Sequence, residues 1–296
     1  MKTLPFKKID AFVNGKSGGN PAACIYLQNQ SDISENEMLL IAKELKGYVT
    51  EVVYLIPEEN AFLLKYYSSE CEVDFCGHGT IAVMYDYIKN DSSLIDKSIV
   101  NIRVKNDFLE VYNCITEEDS VYITAPSARY YDLEISNNEI ASALNISPSI
   151  IDDDLNSDLI NAGLKTLIIP VKHLTDCLNI NPDQNVLKYF CLKNDIDIIL
   201  VFSGETAGDE NKFRTRVFAP KFGYLEDPAT GSGNSAFGYY LLKNNLWDGQ
   251  KINIEQNNSR DIYNVVKLRT VVKDKINRVL FGGSAIVKID GEYRIS

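Results

Sequence analysis

The stretch Cys76-Gly77-His78-Gly79-Thr80-Ile81-Ala82-Val83-Met84-Tyr85-Asp86-Tyr87-Ile88 decides how the rest of the chain is read. From Thr80 to Ile88 it is apolar almost all the way round, the mark of a helix enclosed by protein. A glycine-bearing turn opens it. A second stretch, TGSGNSAFGYYLL from Thr230 to Leu242, follows the same plan, and Cys76–Ala82 matches Thr230–Ala236 in kind. An internal repeat of this sort implies two similar halves, each with strands wrapped around one buried helix. The Ala125-Pro126-Ser127 break divides them into an N-terminal domain over 1–125 and a C-terminal domain over 126–286.

Strand-like segments dominate the remainder. They fall at 25–27, 48–55, 61–67, 99–104, 109–114 and 121–124, then at 166–171, 196–202, 213–219, 251–254, 265–272, 278–281 and 285–289. Asn, Asp and Gly separate many of them, which points to mostly antiparallel connections. Helices are fewer. Ser34 with Glu37 is a capping-box pair, followed by the apolar stripe Met38, Leu39, Ile41, Ala42 and Leu45, with Gly47 to end the helix. Another helix is expected at 137–145, opened by Asn137 or Asn138. The fold class is therefore α+β, two similar domains, each a mixed and largely antiparallel curled sheet around a central helix.

Composition narrows the function. A net charge of −11 with no basic block leaves nothing to replace the counterions of a nucleic acid, and no polybasic membrane patch. No apolar run approaches the length of a bilayer span, and the start of the chain does not read as a secretory signal. A cytoplasmic protein is expected, with its six irregularly spaced cysteines reduced. Cys71, Cys76 and His78 read as part of a zinc set. No second pair of ligands follows, so no metal is expected.

An anionic substrate must then be held by local donors, which directs attention to the two glycine turns. The first N–H groups of a helix lack intrahelical partners and sit at the positive end of its dipole. Gly77 and Gly231 offer such groups, and Ser232 adds a hydroxyl. Two helix ends facing one cleft would hold a carboxylate. His78, one of only two histidines, stands at the first helix start, where its imidazole is expected to stay neutral and to donate a hydrogen bond or shuttle a proton. Glu51 shares a strand face with Val49, Val53 and Leu55. Partial burial there would fit it for proton transfer, although an edge strand facing water reads equally well. Asp227, before Pro228, is either a second acid–base group or the cap of the following helix.

At these residues the chain resembles the phenazine-biosynthesis PhzF-like protein family, within the diaminopimelate-epimerase-like fold. The resemblance rests on DAFVNGKSGGNPAACIYL at 10–27, VTEVVYL at 49–55, EVDFCGHGTIA at 72–82 and RVFAPKFGYLEDPATGSG at 216–233, with FGGSAIVKIDGEY near the end. It implies a site between the two domains, catalysis without metal or cofactor, a homodimer, and a C-terminal strand, 287–296, returning to the first domain. By the same resemblance Glu51 transfers the proton, with His78 and Asp227 as its catalytic companions. Asn20, Gly77, Gly231 and Ser232 bind substrate. The chain departs from the family at Gly79, where alanine or proline is more usual, and at Asn257, where glycine commonly follows the glutamine.

Racemases of the wider fold pair two cysteines, one at each glycine turn; here the second position is Thr230. That disfavours two-thiol chemistry and favours a cofactor-independent isomerase moving a proton on a small unsaturated or cyclic carboxylic acid. The alternatives are a hydroxyproline-dehydratase or epimerase-like enzyme, since those dehydratases carry threonine at the second position, and a non-catalytic small-acid-binding protein.

Overall fold

The computed structural model describes residues 2–273 and 275–295. The chain divides into two compact units, Met1–Thr124 with Gly282–Ser296, and Ala125–Phe281. The first unit contains β1 (Lys2–Ala11), β2 (Asn20–Tyr26), α1 (Glu35–Glu44), β3 (Glu51–Pro57), β4 (Phe62–Ser68), β5 (Glu72–Val73), α2 (Gly77–Asn90), β6 (Ile99–Val104), β7 (Asp107–Cys114), α3 (Ile115–Glu118) and β8 (Ser120–Thr124). In the second are β9 (Arg129–Tyr131), α4 (Asn137–Leu144), β10 (Asp158–Asn161), β11 (Lys165–Pro170), α5 (Leu174–Asn179), α6 (Gln184–Lys193), β12 (Ile198–Ser203), β13 (Phe213–Phe218), β14 (Glu226–Asp227), α7 (Gly231–Lys243), β15 (Ile252–Gln256) and β16 (Asn264–Lys273). The chain then passes through β17 (Ile276–Gly283) into β18 (Ala285–Ile295).

In the first unit β18 and β2 flank β1 antiparallel, β2 pairs β3 in parallel, and β3 pairs β4 antiparallel. β4 then carries the short β5 antiparallel and β6 in parallel, and β6, β7 and β8 continue as an antiparallel meander. α2 touches β1, β2, β3, β8 and β18, so the sheet curls around it. Its residues from Gly79 to Asp86 are all buried, as the all-round apolar pattern requires. α1 lies against the other face of β3, where Val52, Tyr54 and Ile56 pack with Met38, Ile41 and Ala42. Ser34 and Glu37 close its capping box.

The second unit repeats this pairing strand for strand. β10 pairs β11 antiparallel, β11 pairs β12 in parallel, and β12 pairs β13 antiparallel. β13 carries the short β14 antiparallel and β15 in parallel, and β15 pairs β16 antiparallel. α7, buried from Gly233 to Leu241, contacts β10, β11, β12 and β16. The register itself is duplicated. Val73 opposes Tyr66, which opposes Val53; in the same places Asp227 opposes Val217, which opposes Leu200. Lys7 of β1 pairs with Asp86 of α2 at 2.8 Å, while Asp158, at the equivalent place in β10, bonds Lys243 of α7 at 2.5 Å. The strand-to-helix ion pair recurs with its polarity reversed.

Three local expectations are corrected. The helix at 137–144 is capped by Ser136, whose hydroxyl accepts from Glu139 N–H, not by Asn137 or Asn138. β1 joins the strands despite Pro5 and its lysines, because backbone pairing on both edges holds it. α5 and α6 add helices that the strand-rich pattern hid, with Asp183 capping α6.

Candidate active site at the start of the central helix

β5 delivers the chain to α2 through Asp74 and Phe75. Cys76 stands at the N-cap with extended backbone, φ −134° and ψ 109°. Its carbonyl accepts twice from Thr80, from the N–H at 3.0 Å and the hydroxyl at 2.7 Å. The Tyr66 hydroxyl, reaching from β4, lies 2.7 Å from Thr80 Oγ1 and fixes that rotamer. The helix start is therefore tied to the sheet by buried side chains, and the thiol is not used to cap the helix.

Gly79 is a packing requirement. A Cβ there would stand 2.6 Å from Val53 Cγ2 and 3.1 Å from Cys76 Sγ, so α2 lies directly on the face of β3 that Val53 shares with Glu51. That face places Glu51, the first residue of β3, beside the helix start. Its Oε2 lies 3.4 Å from His78 Nε2, and the Glu51 side chain is 23% exposed. This Oε2 is itself buried and takes part in no hydrogen bond. The edge-strand reading, with Glu51 facing water, is thereby set aside.

His78 ties the group together. Thr50 Oγ1 lies 3.4 Å from its Nε2, and Cys76 Sγ lies 3.5 Å from its Nδ1. One ligating atom from each of Glu51, Cys76 and His78 falls within 4.8 Å of the others. The sequence had grouped Cys71 with Cys76 and His78. Cys71 instead is exposed and lies near Ser68, and Glu51 takes its place. Chemically the cluster offers a carboxylate, an imidazole and a thiol beside the positive end of a long helix, a setting suited to proton transfer next to a developing anion.

The second unit builds the start of α7 the same way. Thr230 is the N-cap, with φ −122° and ψ 116°. Asn234, the counterpart of Thr80, bonds the Thr230 carbonyl through both its N–H, at 3.2 Å, and its Nδ2, at 2.9 Å. Gln256 of β15 is the residue that sequence reasoning missed. Its Oε1 accepts from Thr230 N and Asn234 Nδ2, and its Nε2 donates to Thr230 Oγ1 and the Asp227 carbonyl. One carboxamide thus locks the whole EDPATGSG turn. Arg216 holds the neighbouring Glu226 through two nitrogens at 2.9 and 2.8 Å, fixing β14. Ten-residue spacing of opposite charges was the only sequence signal for that pair.

Asp227 does not cap α7. Its Oδ1 lies 3.4 Å from Ala229 N–H, two residues on, within the turn itself. Gly231 fits beneath Phe281, whose ring would come within 2.5 Å of an added Cβ, and Ser232 is half-buried beside Gly163. Asn20 is buried at the first position of β2, opposite Ala11. Glu51, His78 and Gly77 thus come together in the first unit, while Asp227, Gly231 and Ser232 come together in the second. Among the described residues no helix is long and apolar enough to cross a membrane.

Comparison with known proteins places the whole chain. The chain is 30% identical to antisense-enhancing sequence 1 of Schizosaccharomyces pombe, with 81% of each chain covered. It is 25% identical to the uncharacterized isomerase YddE of Escherichia coli K12, with 97% of each covered. The Bacillus subtilis uncharacterized isomerase YfhB is 29% identical over 86% of this chain and 87% of its own. In structure, the Bacillus anthracis phenazine biosynthesis protein of the PhzF family superposes with a TM-score of 0.88 at 24% identity over the full length of both chains. A hydroxyproline epimerase from Agrobacterium vitis, with 4-hydroxyproline bound, shares the fold at a TM-score of 0.62 and 12% identity, covering 99% of this chain and 91% of its own. The model of the family described as phenazine biosynthesis-like protein matches residues 9–291, from the end of β1 to within β18, and the chain belongs to that PhzF-like family.

Proposed function

We propose that the chain is an isomerase that moves a proton between two carbons of a small unsaturated or cyclic carboxylic acid, with Glu51 as the proton carrier. The observation that carries this reading is the Glu51 Oε2 atom, buried, without a hydrogen bond, and 3.4 Å from His78 Nε2. A buried carboxylate oxygen that accepts no hydrogen bond retains a lone pair for a C–H proton.

Glu51 takes the proton from one carbon, and the electron pair left behind spreads into the adjoining unsaturation and carboxylate. The free N–H groups at the start of α2, Gly77 among them, stabilise that charge. Protonated Glu51 then delivers that proton, or one exchanged with solvent through His78, to a second carbon on the same face. His78 polarises the substrate and passes protons to Glu51. In the second unit the reading assigns proton traffic to Asp227, and binding of an anionic group to the N–H of Gly231 and to Ser232. Asn20 completes the binding set. The curated relatives named as isomerases support the reaction class.

Thr230 weighs against a two-sided mechanism. Its hydroxyl accepts from Gln256 Nε2 at 3.1 Å, and a threonine hydroxyl lacks the acidity of a thiol. The test is deuterium incorporation from solvent into a panel of small unsaturated and cyclic carboxylic acids. Glu51→Gln is expected to lower incorporation by about 10²–10⁴-fold. Equal incorporation by parent and variant would overturn the assignment. So would abolition by Cys76→Ala with Glu51→Gln unaffected.

A further inference from the structure

The Glu51, Cys76 and His78 cluster has the composition and spacing of a three-ligand site for a soft divalent cation. Tetrahedral zinc with sulfur, nitrogen and oxygen ligands at their usual bond lengths sets the donor atoms roughly 3.4–3.6 Å apart. Here His78 Nε2 lies 3.4 Å from Glu51 Oε2 and 3.9 Å from Cys76 Sγ, and all three donors lie within 4.8 Å of one another, so coordination draws the thiol and the carboxylate closer together around the imidazole. The three donors are held on rigid elements, Cys76 at the N-cap of α2, His78 in its first turn and Glu51 at the start of β3.

A second observation points to a ligand here. Glu51 Oε2 is buried and engaged in no hydrogen bond, an arrangement that water or a protein donor would ordinarily satisfy. We propose that Glu51, Cys76 and His78 bind one zinc ion, or cobalt in its place, as a reversible inhibitor of the enzyme. Coordination releases the thiol proton to solvent and occupies the carboxylate lone pair, leaving a fourth position open for water or a substrate carboxylate. A thiolate and an imidazole select zinc or cobalt over magnesium and calcium, which prefer oxygen ligands. Only the inhibitory consequence rests on the proposed role of Glu51; the binding does not.

The test uses the full chain, reduced and freed of metal by chelation, titrated with cobalt in the absence of substrate. One cobalt per chain is expected, with a thiolate-to-metal charge-transfer band in the near ultraviolet that zinc removes and magnesium does not. Cys76→Ser should abolish the band and Cys71→Ser should leave it. His78→Ala and Glu51→Gln should each weaken zinc binding by about tenfold or more, and they keep the test decisive if Cys76→Ser does not fold. No band in the parent, a band that survives Cys76→Ser, or unchanged zinc affinity in both other variants would overturn the site. Cobalt bound as described, with isotope exchange indifferent to Glu51→Gln, would refute the catalytic reading and leave the metal site standing.

Discussion

Asn257 offers a sharp test of the backbone that carries the second helix start. It follows Gln256, the residue that locks the EDPATGSG turn, and its φ is +126°, a region that side-chain-bearing residues rarely occupy. Such a conformation costs about 1–3 kcal/mol. Two side-chain hydrogen bonds offset it: Oδ1 accepts from Ser259 N–H at 2.9 Å, and Nδ2 donates to the Ile262 carbonyl at 3.0 Å. At about 0.5–1.5 kcal/mol each, they return roughly what the strain costs. The loop is held from beneath as well, since Arg214 Nη1 donates to the carbonyls of Asn257 and Ser259.

The two small substitutions therefore separate. Asn257→Gly loses the hydrogen bonds but relieves the strain, and should stay within about 1 kcal/mol of the parent. Asn257→Ala loses the bonds and keeps the strain, and should be about 1–3 kcal/mol less stable. At an unstrained site alanine would be the more stable of the two, because glycine gains entropy in the unfolded chain. Trp247, the only tryptophan, is buried in the same unit and donates to the Gln250 carbonyl, so its fluorescence reports the relevant unfolding in urea. Midpoints compared at a common slope give the difference. Alanine as stable as glycine would refute the strain.

Two other consequences follow from the burial pattern. Glu255 and Arg214 form a fully buried ion pair at 2.7 Å, so Glu255→Gln should cost about 3–5 kcal/mol in the same assay by stranding a buried cation. A Glu255→Gln variant within about 1 kcal/mol of the parent would refute the pairing energetics. Burial pushes the thiols of Cys177 and Cys191 up to about 12, from an ordinary value of 9.0, and raises that of Cys24 as well. In the native protein at pH 8 a disulfide reagent should label exposed Cys71 rapidly and these three only on unfolding; fast labelling of all six would contradict their burial. Because the unfolded thiols ionise first, their contribution is intact below pH 9 and stability is lost as pH rises from 9 toward 12, measured by urea midpoints across that range.

The glycine turns and the two enclosed helices were legible because their signals are local and extreme. Apolar residues on every side of a short helix admit one placement, and α2 and α7 take it. The capping box of Ser34 and Glu37 was legible for the same reason. α6 was not, since Val186, Tyr189 and Leu192 are apolar yet exposed while Leu187, Phe190 and Cys191 face the core, so hydrophobicity alone does not reveal its face. β1 escaped because its stability lies in paired backbone, which side-chain alternation reports only weakly. Gln256 acts on residues far along the chain, and no spacing rule connects a β15 carboxamide to a turn before α7.

The duplicated register explains why the repeat was visible at the turns and nowhere else. Equivalent residues are 147 positions apart at Glu51 and Ile198, but 154 apart at Cys76 and Thr230, because connections of unequal length intervene. Once strand pairing rather than sequence offset aligns the halves, their differences fall on the candidate site residues. Glu51 of β3 occupies the place that Ile198 holds in β12, where isoleucine lies against Gly233 at the start of α7. Asp227 of β14 occupies the place that Val73 holds in β5. His78 corresponds to Ser232, and Cys76 to Thr230. Here each half carries a carboxylate that the other replaces with a hydrocarbon, and only Glu51 stands beside an imidazole. On the proposed reading, that asymmetry suits removal and return of a proton by a single carrier on one face, as an allylic shift needs, rather than transfer between two opposed bases.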